Sequence, residues 1–395
     1  MTGFTSTGVG SSHAAWISRI AVMAALGVGV IYIPQPIQPL VAAEFSLPLE
    51  ASAGGVIATQ FGYAVGVFFL VALGDRVRAR LQVGLHLIGT ALAIVIAALA
   101  PVNEVYVIAC FAAGAAATYG QLLVPVALRA VDPSKRAVTT AVLVGSFIVG
   151  LFLVRTSLGA LAGAIGWRAT LLVCAAVVLA CLALLPAVPS TRITEPPSYL
   201  RLIASLPGIV RRSSTLVLMT ITHASAFAAF TTLWATSTIF AVSQLHLTVP
   251  QASLLGLAGM AGGATTVALA SVFARLSMRT GVAVTLGAAL LGAAALALAS
   301  GAIGVVIIGL YLVSLGVSGS QVFTQARALQ SVQPTESGRA NTVYVTGTFV
   351  TSSAAIAVGA LLQRSAGFTA VAGMAVALLL IASTVAFIAR RRGLF

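Results

Sequence analysis

Apolar and polar positions segregate along this chain on the scale of whole helices, and twelve apolar stretches approach the roughly 20 residues that a membrane-crossing helix needs. They run near Ala15 to Val41, Ala51 to Leu73, Leu81 to Ala100, Val105 to Ala127, Ala137 to Ala164 and Thr170 to Val188 in the first half. In the second half they run near Leu216 to Ser243, Ala252 to Ala274, Val282 to Ser300, Ile303 to Ala326, Thr342 to Leu362 and Thr369 to Ala389. The gaps between them carry a second pattern. Cations collect in alternate gaps: Arg76, Arg78 and Arg80; Arg129, Lys135 and Arg136; Arg192, Arg201, Arg211 and Arg212; Arg275 and Arg279; Arg327 and Arg339. Arg19 and Arg390 to Arg392 flank the ends, whereas the intervening gaps hold only Arg168 and Arg364. An excess of Lys and Arg marks cytoplasmic loops, so both termini are expected to face the cytoplasm. The longest polar break, Pro189 to Arg212, divides the spans six and six, and its YLRLIASLPGIVRR portion predicts a short amphipathic helix at the membrane surface. Three units follow: 1–188, a central cytoplasmic loop at 189–212, and 213–395.

Composition excludes several alternatives. A mean hydropathy of +1.09 with 7% charged residues leaves far too few charges for a water-facing surface, which takes about a quarter, so lipid is the solvent. In a soluble protein a net charge of +14 would suggest nucleic acid. Here the cations punctuate spans, and no aromatic platform accompanies them to stack bases, so no nucleic-acid partner is expected. The first 14 residues are small and polar, and the apolar run after them is too long for the core of a secretory signal; it is expected to remain as the first span. Cys110, Cys174 and Cys181 fall inside predicted spans and read as small packing residues. The single lysine, Lys135, rules out a phosphate-binding glycine loop, and no HExxH, GxSxG or clustered-cysteine pattern is present. No enzyme activity, metal or cofactor is expected, and transport would have to be driven by a gradient.

The halves echo each other at an offset of 203 residues: Arg76 aligns with Arg279, Arg136 with Arg339, and Thr139 with Thr342. Internal duplication at matching places in a six-span pattern points to a pseudo-two-fold transporter with its site where the halves meet. At this point the chain resembles, over its whole length, the major facilitator superfamily. The loop LGDRVRAR is similar to that superfamily's signature loop between spans 2 and 3, with Val71 and Arg78 standing where glycines are usual. YIPQPIQPL in span 1, GQLLVP in span 4, FLVRTSLGALAGAIGWR in span 5, QVFTQAR and RANTVY near spans 10 and 11 resemble the bacterial efflux-permease branch. The resemblance implies an all-α protein of twelve helices in two pseudo-symmetric six-helix bundles. It also implies a monomer of the bacterial inner membrane that exports a small molecule, with protons as the exchanged partner. It further implies that spans 1, 4, 7 and 10 surround the cavity. Asp75 would latch the cytoplasmic side together with Arg76, Arg80, Arg136 and Arg339.

Few residues carry candidate chemistry. Arg155 lies about ten residues before Trp167 and Arg168, hence some 15 Å below that boundary at ~1.5 Å per residue. A cation so deep costs about 2.5 to 3.5 kcal/mol on insertion scales, and it must turn inward. It reads either as an anchor for an anionic or strongly hydrogen-bonding substrate, using its five donors, or as a guanidinium satisfied by helix-end carbonyls or by Gln121. All seven carboxylates fall in loops or at span ends, which disfavours a purely cationic substrate and leaves neutral or anionic ones. His223 in span 7 is the in-span candidate for proton coupling, with hydrogen-bonded packing as its other reading; His86 has no polar neighbours at helical spacing. Polar and aromatic residues recur three or four apart at Gln35 and Gln38, Gln60 and Tyr63, Thr118 and Gln121, His223, Phe227, Phe230 and Trp234, Gln321 and Gln325, and Tyr344 and Thr348. Each set occupies one helix face. Such faces line a cavity or bond neighbouring helices. Pro34, Pro36, Pro39 and Pro125 predict kinks, and GSFIVG and GALAGAIG in span 5 allow close helix approach. The rival readings are an uptake permease or proton symporter for sugars or organic anions, and a lipid scramblase or membrane scaffold.

Overall fold

The computed structural model describes residues 7–71, 77–131, 136–185, 198–273, 275–299 and 301–394. Every regular element among them is helical. In chain order they are α1 (Thr7–Val30), α2 (Pro34–Glu44), α3 (Ala53–Phe69), α4 (Ala79–Ala98), α5 (Asn103–Ala116), α6 (Tyr119–Ala130), α7 (Arg136–Ile165) and α8 (Trp167–Leu184). After α9 (Tyr199–Arg212) follow α10 (Ser214–Ser243), α11 (Val249–Ser253), α12 (Gly256–Ala268), α13 (Ala270–Phe273), α14 (Met278–Ala299), α15 (Ile303–Gln330) and α16 (Ser337–Arg391). These occupy the twelve apolar stretches, with some stretches broken into pieces.

Each break has a local cause. Pro34 has no N–H to donate and begins α2, so the chain crosses 31–33 in tight turns, with Ile31, Tyr32 and Ile33 donating to carbonyls three residues back. The proline reading of span 1 is thus realised as a helix break. Span 4 differs. Its interruption falls at Ala117 and Thr118, seven residues before Pro125, and α6 runs through that proline. The Ala116 carbonyl released there lies 2.7 Å from His86 Nδ1, which must donate to it, and Thr118 Oγ1 stands 3.2 Å from the same nitrogen. His86 therefore does have polar partners, supplied by another helix. In α16, Gly367 adopts φ 74°, a left-handed conformation open to glycine at little steric cost, and the chain reverses there to give spans 11 and 12. Phe240 and Phe368 stack beside the turn at 4.1 Å between centroids.

Among the described residues two large apolar cores result, with a small third cluster of Val56, Ala235 and Ile356. One is built from residues of α1 to α8; the other is built mostly from α10 to α16 and takes in Ile31, Tyr32, Tyr63, Leu151 and Phe152 from the first half. That overlap is where the halves touch. Outside the cores the surface is apolar, with Leu298 at 87% and Ile108 at 68% exposed, as a surface solvated by hydrocarbon requires. Trp167 and Arg168 close one end of the first half: Trp167 Nε1 donates to Glu44, and Arg168 reaches Glu44 at 2.6 Å and the Ala98 and Ala100 carbonyls. The expected amphipathic segment between the halves is the helix α9. Its Tyr199 hydroxyl donates to the Phe69 carbonyl, and its Ser205 accepts from Arg339, so α9 links the end of α3 to the start of α16.

Candidate functional site

Arg155 lies about two thirds of the way along α7 and is wholly buried. Its Nη1 donates to Gln35 Oε1 on α2. Its Nη2 donates to Ser237 Oγ at 2.8 Å and Thr238 Oγ1 at 2.9 Å, both on α10. The guanidinium also lies over the Trp234 ring, 4.8 Å from its centroid, where the negative face of the indole attracts a cation. One cation therefore joins both halves of the chain. Among the described residues no carboxylate forms an ion pair with it, and Nε has no partner. The suggested pairing with Gln121 is not what forms. Gln35, just beyond the span 1 break, takes the guanidinium instead.

Small residues let the helices around Arg155 close. A Cβ on Gly159 would collide with Ser253 and come within 3.3 Å of Pro36 Cβ, and one on Gly163 would collide with Pro250. The GALAGAIG stretch is thus the surface on which α7 meets α11. Further along, Gly256 sits against Thr156 and Gly259 against Phe152. Across the molecule, Gln60 on α3 accepts from Ser352 at 2.7 Å, Ser352 in turn shares a 2.7 Å bond with Thr231 on α10, and Tyr63 packs 4.7 Å from Phe349. The halves are consequently sealed from about their middle toward the face that bears the turns at 45–52, 166, 244–248 and 367.

The remaining sequence candidates divide between this seal and other places. Trp234 is in the centre and donates to Ser314 at 3.2 Å. Gln38 is 1% exposed, and neither its amide nitrogen nor its oxygen has a partner. His223 is 1% exposed, stacks on Tyr344 at 5.3 Å with an interplanar angle of 8°, and leaves Nδ1 without a partner; Phe227 lies beside it at 5.6 Å. Tyr344 is bonded to Thr324 at 2.9 Å. Gln321 bonds Gln325, which donates to Asn341. Of the gate set, Asp75 and Arg76 lie outside the described residues, as does the side chain of Arg136, which opens α7. Arg80 is exposed at the start of α4. Arg339 donates to Ser205 at 2.8 Å and lies 3.6 Å from Glu336, which also receives Arg212 at 2.9 Å.

Ser237, Thr238, Phe152, Phe349 and Ser352 were not singled out by sequence reasoning. For Ser237 and Thr238 a signal was present, since they continue the His223, Phe227, Phe230, Trp234 face by three and four residues. For the others only the fold brings them in. No group of three or more His, Cys, Asp or Glu side chains among the described residues is arranged to hold a metal.

The sequence profile of the Major Facilitator Superfamily matches residues 19–356. "Putative uncharacterized transporter YgaY" of Escherichia coli K12 is 29% identical over 222 residues, which cover 56% of this chain and 56% of the relative. "Probable transporter SCO4007" of Streptomyces coelicolor is 32% identical over 265 residues, covering 65% of this chain and 61% of the relative. The chain thus spans about three fifths of the length of these relatives. In fold it is similar to the crystal structure of a point mutant of the nucleoside transporter NupG, with a TM-score of 0.72 at 13% identity, covering 94% of this chain and 98% of the other. It is likewise similar to the crystal structure of the human organic anion transporter MFSD10, with a TM-score of 0.69 at 16% identity, covering 95% and 99%.

Proposed function

The chain belongs to the major facilitator superfamily, is a multi-pass membrane transporter and not an enzyme, and from that premise we propose that it exports a small neutral or anionic organic molecule across the bacterial inner membrane in exchange for protons. In this reading the units 1–188 and 213–395 rock about the centre, coupled through the 189–212 segment, and the protein works as a monomer with both termini in the cytoplasm. The sealed face is then external, and the described form is the one closed to the outside. A single observation carries the substrate side of the proposal: a wholly buried guanidinium between the halves, held among the described residues by neutral groups alone. A structural cation at such depth is ordinarily paired, whereas a binding cation needs a place for its partner to arrive. Gln35, Gln38, Gln60, Tyr63, Gln121, Phe227, Trp234, Gln321 and Tyr344 complete the substrate path in this reading, and Asp75 with its neighbouring arginines gates the cytoplasmic side. Export and exchange rest on the resemblance of the span 1, 4, 5, 10 and 11 segments to efflux permeases.

The proton-linked group in this proposal is His223, whose Nδ1 has no partner. Everted membrane vesicles given an inward-acid gradient should accumulate a ligand found by thermal-shift screening against organic acids, sugars, chelators and drugs. Accumulation only by right-side-out vesicles would instead mean uptake. In the same vesicles His223→Gln should flatten the pH dependence of transport while leaving ligand binding within about threefold. An unaltered pH profile would remove His223 from coupling.

A further inference from the structure

The proposed anchor offers its donors on one particular edge. In a guanidinium, Nε–H and one Nη2–H point the same way and together match the two oxygens of a carboxylate. In Arg155 the Nε is the atom with no partner, and Nη2 is held only by the Ser237 and Thr238 hydroxyls. Other unused groups lie on α2, which bonds the guanidinium through Nη1: the Gln35 Nε2 is unbonded, and one turn on Gln38 is buried with its whole amide unbonded. Three of these four free groups are donors. A buried cation with an idle donor of its own, bonded to a helix that carries further idle donors, is complementary to an acceptor-rich anion.

The face of the guanidinium is covered by an aromatic row. Along one face of α10, ring centroids follow at 5.6 Å from His223 to Phe227, 5.6 Å from Phe227 to Phe230 and 6.4 Å from Phe230 to Trp234, where the guanidinium lies. Phe152 closes the second side, 6.3 Å from Phe230 and 5.1 Å from Trp234. Phe227, half-buried, is the open end of this row. Phe152 belongs to one half and Phe230 and Trp234 to the other, so these rings touch in the sealed form, and parting of the halves opens a slot between them for a further flat ring.

Building on the reading of Arg155 as substrate anchor, we infer that the cargo is an aromatic carboxylate. Its carboxylate takes the Nε and Nη2 edge of Arg155, and its ring lies among Trp234, Phe230 and Phe152. Because Nη2 is then drawn from Ser237 and Thr238, which belong to the other half, loading also undoes the guanidinium's tie across the seal. Substrate binding and release of the seal become one event, as an alternating transporter requires of a ligand that favours one state.

The test is calorimetric titration of the purified full-length protein with three size-matched probes: 2-naphthoate, 2-naphthamide and decahydro-2-naphthoate. The expected result is a Kd for 2-naphthoate at least tenfold below that of either analogue. Arg155→Gln should erase the preference for acid over amide, Arg155→Lys should keep only part of it, and Trp234→Leu should erase the preference for the aromatic over the saturated acid. Size-exclusion profiles and melting curves confirm that each variant is folded. Equal binding of the two acids, equal binding of acid and amide, or no binding of 2-naphthoate overturns the inference. In those cases a screened ligand whose affinity still depends on Arg155 leaves the anchor reading standing, whereas no such ligand removes both.

Discussion

Arg155→Ala is expected to abolish transport, lowering the rate at least a hundredfold, while the protein is still made and folded. Hydrogen bonds to a charged group are worth roughly 1.5 to 3 kcal/mol each, so losing two to a bound substrate costs about 3 to 6 kcal/mol, or about two to four powers of ten. Folding is affected less, because the residue's neighbours are neutral. Removing the side chain leaves Gln35 Oε1 without its donor but strands no opposing charge among the described residues, and it takes away a cation whose burial is itself costly. The measurement pairs initial rates in proteoliposomes with the yield of monodisperse protein. Unchanged kinetics would refute the anchor, and loss of folded protein with retained specific activity would make Arg155 a packing element.

A second large effect is expected at the α7 crossing. Gly159→Leu places a branched side chain where even a Cβ collides with Ser253 and approaches Pro36 to 3.3 Å. Interiors this tightly packed do not absorb added methylenes without displacement. The seal should then fail to close, holding the transporter open on that face, with transport reduced at least a hundredfold. A cysteine introduced at Ser237, buried in the sealed form, should become reactive toward a membrane-impermeant maleimide in the Gly159→Leu background alone. Gly287→Ala in α14, where a Cβ meets nothing within 4 Å, should leave both properties within twofold and serves as the matched control. If Gly159→Leu transports normally, the halves do not close on this surface.

Much of this architecture is legible in the sequence because lipid imposes a simple rule. Backbone polar groups must bond within their own segment, so apolar runs become helices. A polar face must turn inward, and a row such as Phe227, Phe230 and Trp234 declares its direction by spacing alone. Pro34 announces the break in span 1 because proline's missing donor acts locally. The break at Ala117 is hidden, since what stabilises it is His86, 30 residues away. The same distinction separates Arg155 from its partners. Its depth and inward direction follow from cost, but Ser237 and Thr238 are 82 and 83 residues off, and serines and threonines are common in such helices. Gln121 sits at a suitable depth in the neighbouring span, yet Gln35 takes the guanidinium, a choice made by how span 1 bends. Glu336 and Ser205 engage Arg339 through α9, whose docking depends on the fold as a whole.

The two halves should part at the Arg155 seal when substrate takes the guanidinium. Pulsed electron paramagnetic resonance reads this separation between spin labels at Ile165 and Leu254, both exposed and on opposite sides of the seal. The three native cysteines are replaced, and the protein is held in lipid nanodiscs with and without a ligand that raises its melting temperature. A short, narrow distance distribution is expected without ligand and a second, longer population with it, absent in Arg155→Gln. One unchanging distance in all conditions would contradict it.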